Sequence, residues 1–386
     1  MTLPHKNSAM VVVGDPSADE HAARLIQMIT QKNKTIRFFG MGGPKLSQVA
    51  DIREDLTHPA LAGFIEIVRY FPLILKRYFK CVQWLKDEKP TFLFLVDYPG
   101  FNLQLAKVAK KQNIPVIYYI APQVWAWNSK RLKLMKKVID YLLVIFPFEE
   151  TYFQKEKISA TYVGHPLIQE IPQAKQTFKK TLLQLDFPFK TFPLICMMPG
   201  SRKSEIDKMG PLFLRAAYLL LEKYPSAVFL IPCASPQIEK HFKSLLLGNH
   251  FKIIKANDYY WRKSCHMAWV KSGTSTLETA LLGTPMVVVY KMTAISSMIA
   301  KRWVRLSHVA IVNLLGCGSK VPELLLEKAI PENIVECTID LLQSSQKRSE
   351  QVQQFLKIKK LLSFPEFHFE FTTRKILNWL KAKNYI

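Results

Sequence analysis

Short runs of apolar, β-branched and aromatic residues recur along the chain. Each is followed by a polar or glycine turn and then by a stretch whose apolar positions repeat with helical period. In the first half the runs are Ala9 to Val13, Arg37 to Phe39, Phe92 to Val96, Val116 to Tyr119, Tyr141 to Ile145 and Thr161 to Val163. In the second they are Leu194 to Met198, Ala227 to Ile231, Phe251 to Ile254, Ala268 to Val270 and Met286 to Tyr290. This alternation predicts an α/β protein with two parallel sheets covered by helices on both faces. Gly14, Gly40, Gly42, Gly43, Gly100, Gly164, Gly200 and Gly273 fall just after these runs. That is the carboxyl edge of a parallel sheet, where ligands bind. The rhythm lapses between Gln169 and Pro193, which predicts a linker near 170–175. An N-terminal domain over 1–170, a second domain over 171–350 and C-terminal helices over 351–386 follow from it.

The 386 residues are 49% hydrophobic, enough for two ordinary cores and too apolar for a disordered chain. Lys plus Arg at 54 against Asp plus Glu at 30 leave a formal charge of +24, spread evenly along the chain. Such an excess points to an anionic partner, whether nucleic acid, acidic lipid or a phosphorylated small molecule, or simply to solubility. The six cysteines form no CxxC pair and do not cluster with histidine, which reads as buried thiols in a reducing compartment. The apolar run before Asp15 is too short for a secretory signal, and no stretch reaches the roughly 18 uncharged residues of a membrane span. A soluble or peripheral protein is expected.

Five segments carry candidate chemistry. MMPGSRKSEI (197–206) is a strand, a Pro-Gly turn and then Ser201 and Arg202 opening a helix, where amides, a hydroxyl and a guanidinium converge on the place of a phosphate. The same residues also read as a plain turn with Ser201 as helix cap and Arg202 in a surface pair. WVKSGTSTLETALLGTPMVVVY (269–290) repeats the architecture: the amides of Thr274, Ser275 and Thr276 after Gly273 suit an anion, and Glu278 suits a ribose diol. Its alternative is a capping box from Ser275 to Glu278. VVVGDPSADEHAARLI (11–26) gathers Asp15, Ser17, Asp19 and His21 at a strand's end, without metal-ligand spacing, so no metal or other cofactor is inferred. FLFLVDYPGFN (92–102) places Asp97 after five apolar residues, as a general base or as a helix cap. LAGFIEIVRYFPLILKRYFK (61–80) sets Phe64, Ile67, Phe71, Ile74 and Leu75 among Arg69, Lys76 and Arg77, a pattern that suits either an anionic bilayer surface or packing on a core. MTAISSMIAKRWVRL (292–306) is a second such stretch.

GDPSADEHAA, GMGGPKL, VDYPGFNLQLAK, IPVIYYIAPQVWAW, LLVIFPFEETYF, YVGHPLI, PGSRKSEI, SGTSTLETAL and NLL followed by VPELL resemble, in this order from about residue 10 to about 330, lipid-A-disaccharide synthases. The resemblance implies the glycosyltransferase-B fold, two Rossmann-like doubly wound parallel-sheet domains facing a cleft, with no need of a metal ion. It implies the joining of UDP-2,3-diacylglucosamine to 2,3-diacylglucosamine 1-phosphate, giving the β(1→6) disaccharide 1-phosphate of lipid A and UDP. Ser201, Arg202, the 273–276 loop with Glu278, and Asn313 in NLL would hold UDP, and Asp97 would be the catalytic base. It also implies a peripheral site on the inner face of the cytoplasmic membrane, homodimer formation, and a C-terminal helix around Phe371 to Leu380 crossing between domains or subunits.

The chain departs from the family pattern in places. Where many members read DAPDFN it has Asp97-Tyr98-Pro99-Gly100-Phe101-Asn102, without the second acid. Asp15 and Ala18 stand in the loop that usually reads GEASGD, and Val312 replaces a proline before Asn313. Two rival readings are another glycosyltransferase-B enzyme with a polyprenyl-linked acceptor and a basic nucleic-acid-binding protein. The even charge spread and the lack of any zinc-finger, RRM or KH signature count against nucleic acid.

Overall fold

The computed structural model describes residues 7–57, 64–127, 130–171, 193–233, 236–243, 248–291 and 308–386. It divides into two compact units. Unit 1 is Met1–Gln169 together with Leu362–Ile386, and unit 2 takes its described residues from the stretch Glu170–Leu361. Residue 351 lies inside the helix Ser345–Leu362, so the chain passes from one unit to the other at the end of that helix rather than at its middle.

Unit 1 is a seven-stranded sheet of β1 (Ser8–Val13), β2 (Arg37–Gly42), β3 (Asp51–Asp55), β4 (Phe92–Val96), β5 (Val116–Tyr119), β6 (Tyr141–Val144) and β7 (Ala160–Tyr162). The order is β3-β2-β1-β4-β5-β6-β7, and all pairs are parallel. Unit 2 repeats the plan with β8 (Leu194–Met198), β9 (Val228–Cys233), β10 (Phe251–Lys255), β11 (Met267–Lys271), β12 (Met286–Tyr290) and β13 (Glu323–Leu325), in the parallel order β10-β9-β8-β11-β12-β13. Strands buried on both faces read as unbroken apolar runs, as in the fully buried FLFLV of β4.

The edge strands β3 and β13 were not visible in the apolar pattern. Each pairs on one side only, and DIRED carries four charged residues in five, a composition that protects an edge from further pairing. β2 runs on through Gly40 to Gly42 and holds a bulge between Gly40 and Met41, so these two glycines lie in the strand rather than after it. A Cβ at Gly40 would come within 2.0 Å of the Val11 carbonyl oxygen, which makes glycine obligatory there.

In each sheet the winding reverses once, between β1 and β4 in unit 1 and between β8 and β11 in unit 2. At such a reversal the two following loops part in opposite directions and leave a crevice beyond the carboxyl ends. The crevice of unit 1 lies between Gly14-Asp15 and Asp97-Tyr98. That of unit 2 lies between Pro199-Gly200-Ser201-Arg202 and Ser272-Gly273-Thr274.

Candidate active site

In unit 1 the register pairs Val13 with Val96 and Val96 with Tyr119, so Gly14, Asp97 and Ile120 leave three adjacent strands side by side. Asp97 and Tyr98 have φ of 47° and 49°, and Ile120 has 62°. Left-handed backbone costs an L-residue about 1–2 kcal/mol, and for a β-branched residue it is rare. Strain of this kind persists only where the surroundings impose it. Asp97 donates its N–H to the Tyr119 carbonyl at 3.0 Å. The Asp97 carbonyl accepts from Asn102 Nδ2 at 2.7 Å and from Tyr118 Oη at 2.5 Å. Asn102 is fully buried and also donates to the Val96 carbonyl at 3.2 Å and the Val12 carbonyl at 3.4 Å. Burial holds the Tyr118 phenol far above its usual range, which keeps it a donor. Pro99 then opens the helix Pro99–Lys111 at its first position.

Glycine at 14 is explained by the Tyr98 ring: an added Cβ would stand 2.4 Å from its Cδ1. Gly100, by contrast, faces open space, so no close approach requires it. Asp15 caps the helix Pro16–Lys32, accepting from the Ser17 amide at 2.9 Å and the Ser17 hydroxyl at 2.7 Å. Asp19 corrects the expectation of a ligand-facing acid. It is 1% exposed, and its carboxylate accepts from the amides of Gly43 (2.7 Å), Lys45 (2.9 Å) and Leu46 (3.4 Å), which fixes the loop after β2. The His21 ring packs 6.5 Å from that of Phe369, on the helix His368–Ala382.

Three groups at this edge escaped the sequence reading. His368 donates from Nδ1 to the Val163 carbonyl at 2.6 Å, and its Nε2 meets Tyr119 Oη at 2.7 Å. His165 is buried, and desolvation together with His21 and His368 pushes its pKa well down, so it stays neutral. Glu149, 1% exposed, accepts from Trp125 Nε1 at 2.9 Å and from the Phe146 amide at 3.2 Å, which ties the helix Val124–Trp127 to the exit of β6. Burial raises its pKa to about 7. The fold therefore prefers the neutral acid. The stabilisation is complete below the usual 4.5 and is lost as pH rises through about 7, on the order of 3 kcal/mol in all. Thermal unfolding is expected to show a higher midpoint at pH 5.5 than at pH 8, and Glu149→Gln is expected to flatten that difference. An unchanged slope in the variant would assign the pH dependence elsewhere.

In unit 2, Gly200 has φ +140°, and a Cβ there would meet Glu205 Oε2 at 2.5 Å. Glu205, 8% exposed, accepts from the Ser201 amide at 3.1 Å and from Lys271 Nζ at 2.8 Å, with Arg202 Nη1 3.5 Å away. The cap of the helix Lys203–Lys223 is Arg202 rather than Ser201, and it caps without a side-chain bond. A single buried carboxylate therefore gathers two cations at the tips of neighbouring strands β8 and β11. Lys271 was not singled out from the sequence.

Across the crevice Gly273, at φ 153°, caps the helix Thr274–Leu282. Thr276 is corrected as an anion donor, because its amide and hydroxyl both bond to the Gly273 carbonyl, at 3.1 and 2.8 Å, and it is fully buried. The amides of Thr274 and Ser275 open the helix, where no intrahelical carbonyl serves them. No capping box forms: Glu278 sits further into the helix, and its Oε2 accepts from Arg262 Nη2 at 2.8 Å. Asn313 is 4% exposed and donates to the Val321 carbonyl at 2.9 Å and to Glu323 Oε1 at 2.6 Å. Its donors thus hold β13, and its Oδ1 is buried with no hydrogen-bond partner among the described residues.

On the helix Phe64–Glu88 the side chains of Phe64, Ile67 and Arg69 lie outside the described residues, as does all of 292–306. Phe71 (55% exposed), Leu75 (40%) and Phe79 (59%) form an outward row at a spacing of four, beside exposed Lys76 and Lys80. Ile74 and Arg77 are corrected. Ile74 packs on the core with Tyr78 and Val82, and Arg77 bonds Glu54 at 3.2 Å. No helix among the described residues is long and apolar enough to cross a membrane.

Residues 9–376 match the family model described as lipid-A-disaccharide synthetase. The lipid-A-disaccharide synthase of Geobacter metallireducens is 34% identical over 337 residues, covering 86% of this chain and 87% of its own. Among solved structures, UDP-GlcNAc 2-epimerase from Neisseria meningitidis bound to UDP-GlcNAc matches with a TM-score of 0.60 at 16% identity, covering 96% of this chain and 99% of that one. MurG of Acinetobacter baumannii matches with a TM-score of 0.54 at 15% identity and the same coverage. These likenesses show the glycosyltransferase-B fold, two doubly wound parallel sheets, and they show it alone. The family model spans nearly the whole chain and takes in both crevices, and on that ground the chain belongs to the lipid-A-disaccharide synthase family.

Proposed function

We propose that this glycosyltransferase transfers 2,3-diacylglucosamine from its UDP ester to O6 of 2,3-diacylglucosamine 1-phosphate, forming the β(1→6) disaccharide 1-phosphate and UDP. The observation that carries the reading is Asp97. It is an acid set on two consecutive left-handed residues at the winding reversal of unit 1, where the backbone is pinned by Asn102 and Tyr118.

In this reading Asp97 accepts the O6 proton as O6 attacks the anomeric carbon from the face opposite UDP, so the configuration inverts. The leaving diphosphate gathers negative charge as the glycosidic bond breaks. The guanidinium of Arg202, the ammonium of Lys271 and the amides of Thr274 and Ser275 are the donors that meet it, while Glu278 takes the ribose hydroxyls and Asn313 fixes β13 behind them. Asp15 and Ser17 border the acceptor, with Asp19 and His21 holding the elements around them. The test is incubation of the protein with both diacylglucosamine substrates in EDTA. UDP and a tetraacyl disaccharide phosphate are the expected products. UDP release without the disaccharide, or transfer only to a polyprenyl-linked sugar, would overturn the acceptor assignment.

Both substrates carry acyl chains, so the protein must work at a lipid surface, proposed here as the inner face of the cytoplasmic membrane. Phe71, Leu75 and Phe79 are the contact, with Lys76 facing anionic headgroups. Each buried aromatic or leucine side chain contributes about 1.5–3 kcal/mol, so replacing all three by Ser should weaken binding to anionic vesicles by about a thousandfold or more. The melting temperature should hold, because the row supports no core. Cosedimentation at the wild-type level would remove this face from the mechanism.

A further inference from the structure

We infer that Arg262 is a positioning residue for nucleotide recognition. It holds the Glu278 carboxylate in the one orientation that accepts the hydroxyls of a nucleoside diphosphate's ribose. The inference rests on the proposed reading of unit 2 as the UDP-sugar site.

Arg262 lies on the short helix Tyr259–Ser264 and is 4% exposed. Its Nη2 donates to Glu278 Oε2 at 2.8 Å and its Nη1 to the Ala256 carbonyl at 3.1 Å, and its guanidinium lies 5.3 Å from the centre of the Tyr259 ring. Its Nε is buried with no hydrogen-bond partner among the described residues. A buried ion pair barely recovers the cost of desolvating its charges, and one that leaves a donor unmatched recovers less. Stability is therefore a poor account of this pair. Its geometric effect is definite. Glu278 has one oxygen fixed from behind and is 21% exposed, which leaves Oε1 to a ligand at the rim beside the Thr274 and Ser275 amides. A glutamate without such a hold would have to be ordered at the moment of binding, at the expense of affinity. Lysine would keep the charge but lose the two-armed reach from Ala256 to Glu278.

Calorimetric titration with UDP and with 2′,3′-dideoxy-UDP tests this, because the ratio of the two affinities isolates the hydroxyl contribution within each variant. The wild type is expected to prefer UDP about tenfold or more. Arg262→Lys, Arg262→Gln and Glu278→Gln are each expected to bring the ratio below about threefold, with dideoxy-UDP still bound as evidence that the site is folded. A merely structural arginine would lower both affinities together and leave the ratio intact. If Glu278→Gln loses the preference and both Arg262 variants keep it, the positioning role is overturned while the ribose assignment stands. If Glu278→Gln keeps the preference, the ribose assignment itself fails, and the inference with it.

Discussion

Asp97→Asn is expected to lower turnover by about 10²–10⁴, the usual contribution of a general base, with UDP affinity held within about twofold. Asparagine is the informative substitution here. It is among the few residues that tolerate left-handed backbone, so the φ of 47° and the 2.7 Å bond from Asn102 to the main-chain carbonyl survive the change. What is removed is the capacity to take a proton. Alanine would lose the same capacity but add strain at the turn, and the two effects could not be separated. The assay is steady-state formation of the disaccharide phosphate, with calorimetric UDP binding as the control. A fall of less than tenfold with intact binding would move the base to another residue. Gly100 supplies no second acid on this turn and faces open space.

Asn102→Ala is expected to cost both stability and rate. The Nδ2 group serves the carbonyls of Val12, Val96 and Asp97, which come from two strands and the turn between β4 and the following helix. Removing it leaves buried carbonyls unserved, at about 1–3 kcal/mol, and opens a small void. The Asp97 carbonyl then loses one of its two donors among the described residues and keeps Tyr118, and the left-handed turn loses a restraint. A displacement of about 1 Å at a reacting group costs roughly a hundredfold in rate, so kcat should fall by about that factor while the KM for the UDP-sugar barely moves. Chemical denaturation and kinetics on the same preparation separate the two effects. A loss of stability with full kcat would make Asn102 a packing residue and no more.

The architecture was legible because the central strands are buried on both sides and so read as continuous apolar runs. β3 and β13 were not, since an edge strand needs no such run. The glycine and proline turns after β1, β4, β8 and β11 announced the two crevices, because a chain leaving a strand for a helix over a ligand needs those residues. The supporting cast was hidden for a different reason. Asn102 reaches Val12, 90 residues away in sequence, and His368 reaches Tyr119 at a separation of 249, and no local spacing encodes such pairings. Lys271 and Arg262 became visible only once their strand or helix was set beside Glu205 and Glu278. Along the helix Phe64–Glu88 the apolar content was plain but its phase was not. Phe71, Leu75 and Phe79 share one side and Ile74, Tyr78 and Val82 the other, a division settled only by what the helix packs against.

Unit 1 is closed by the helix His368–Ala382, whose His368 meets Tyr119, whose Trp379 stacks on Tyr141 at 5.4 Å, and whose Ile376 and Leu380 are fully buried. During synthesis on the ribosome the whole of unit 2 emerges between Gln169 and that helix. The half that carries Asp97 therefore waits, as a nascent chain with an uncovered face, until unit 2 has been made. A chain stalled after residue 361 would hold unit 2 complete and unit 1 without its closing helix.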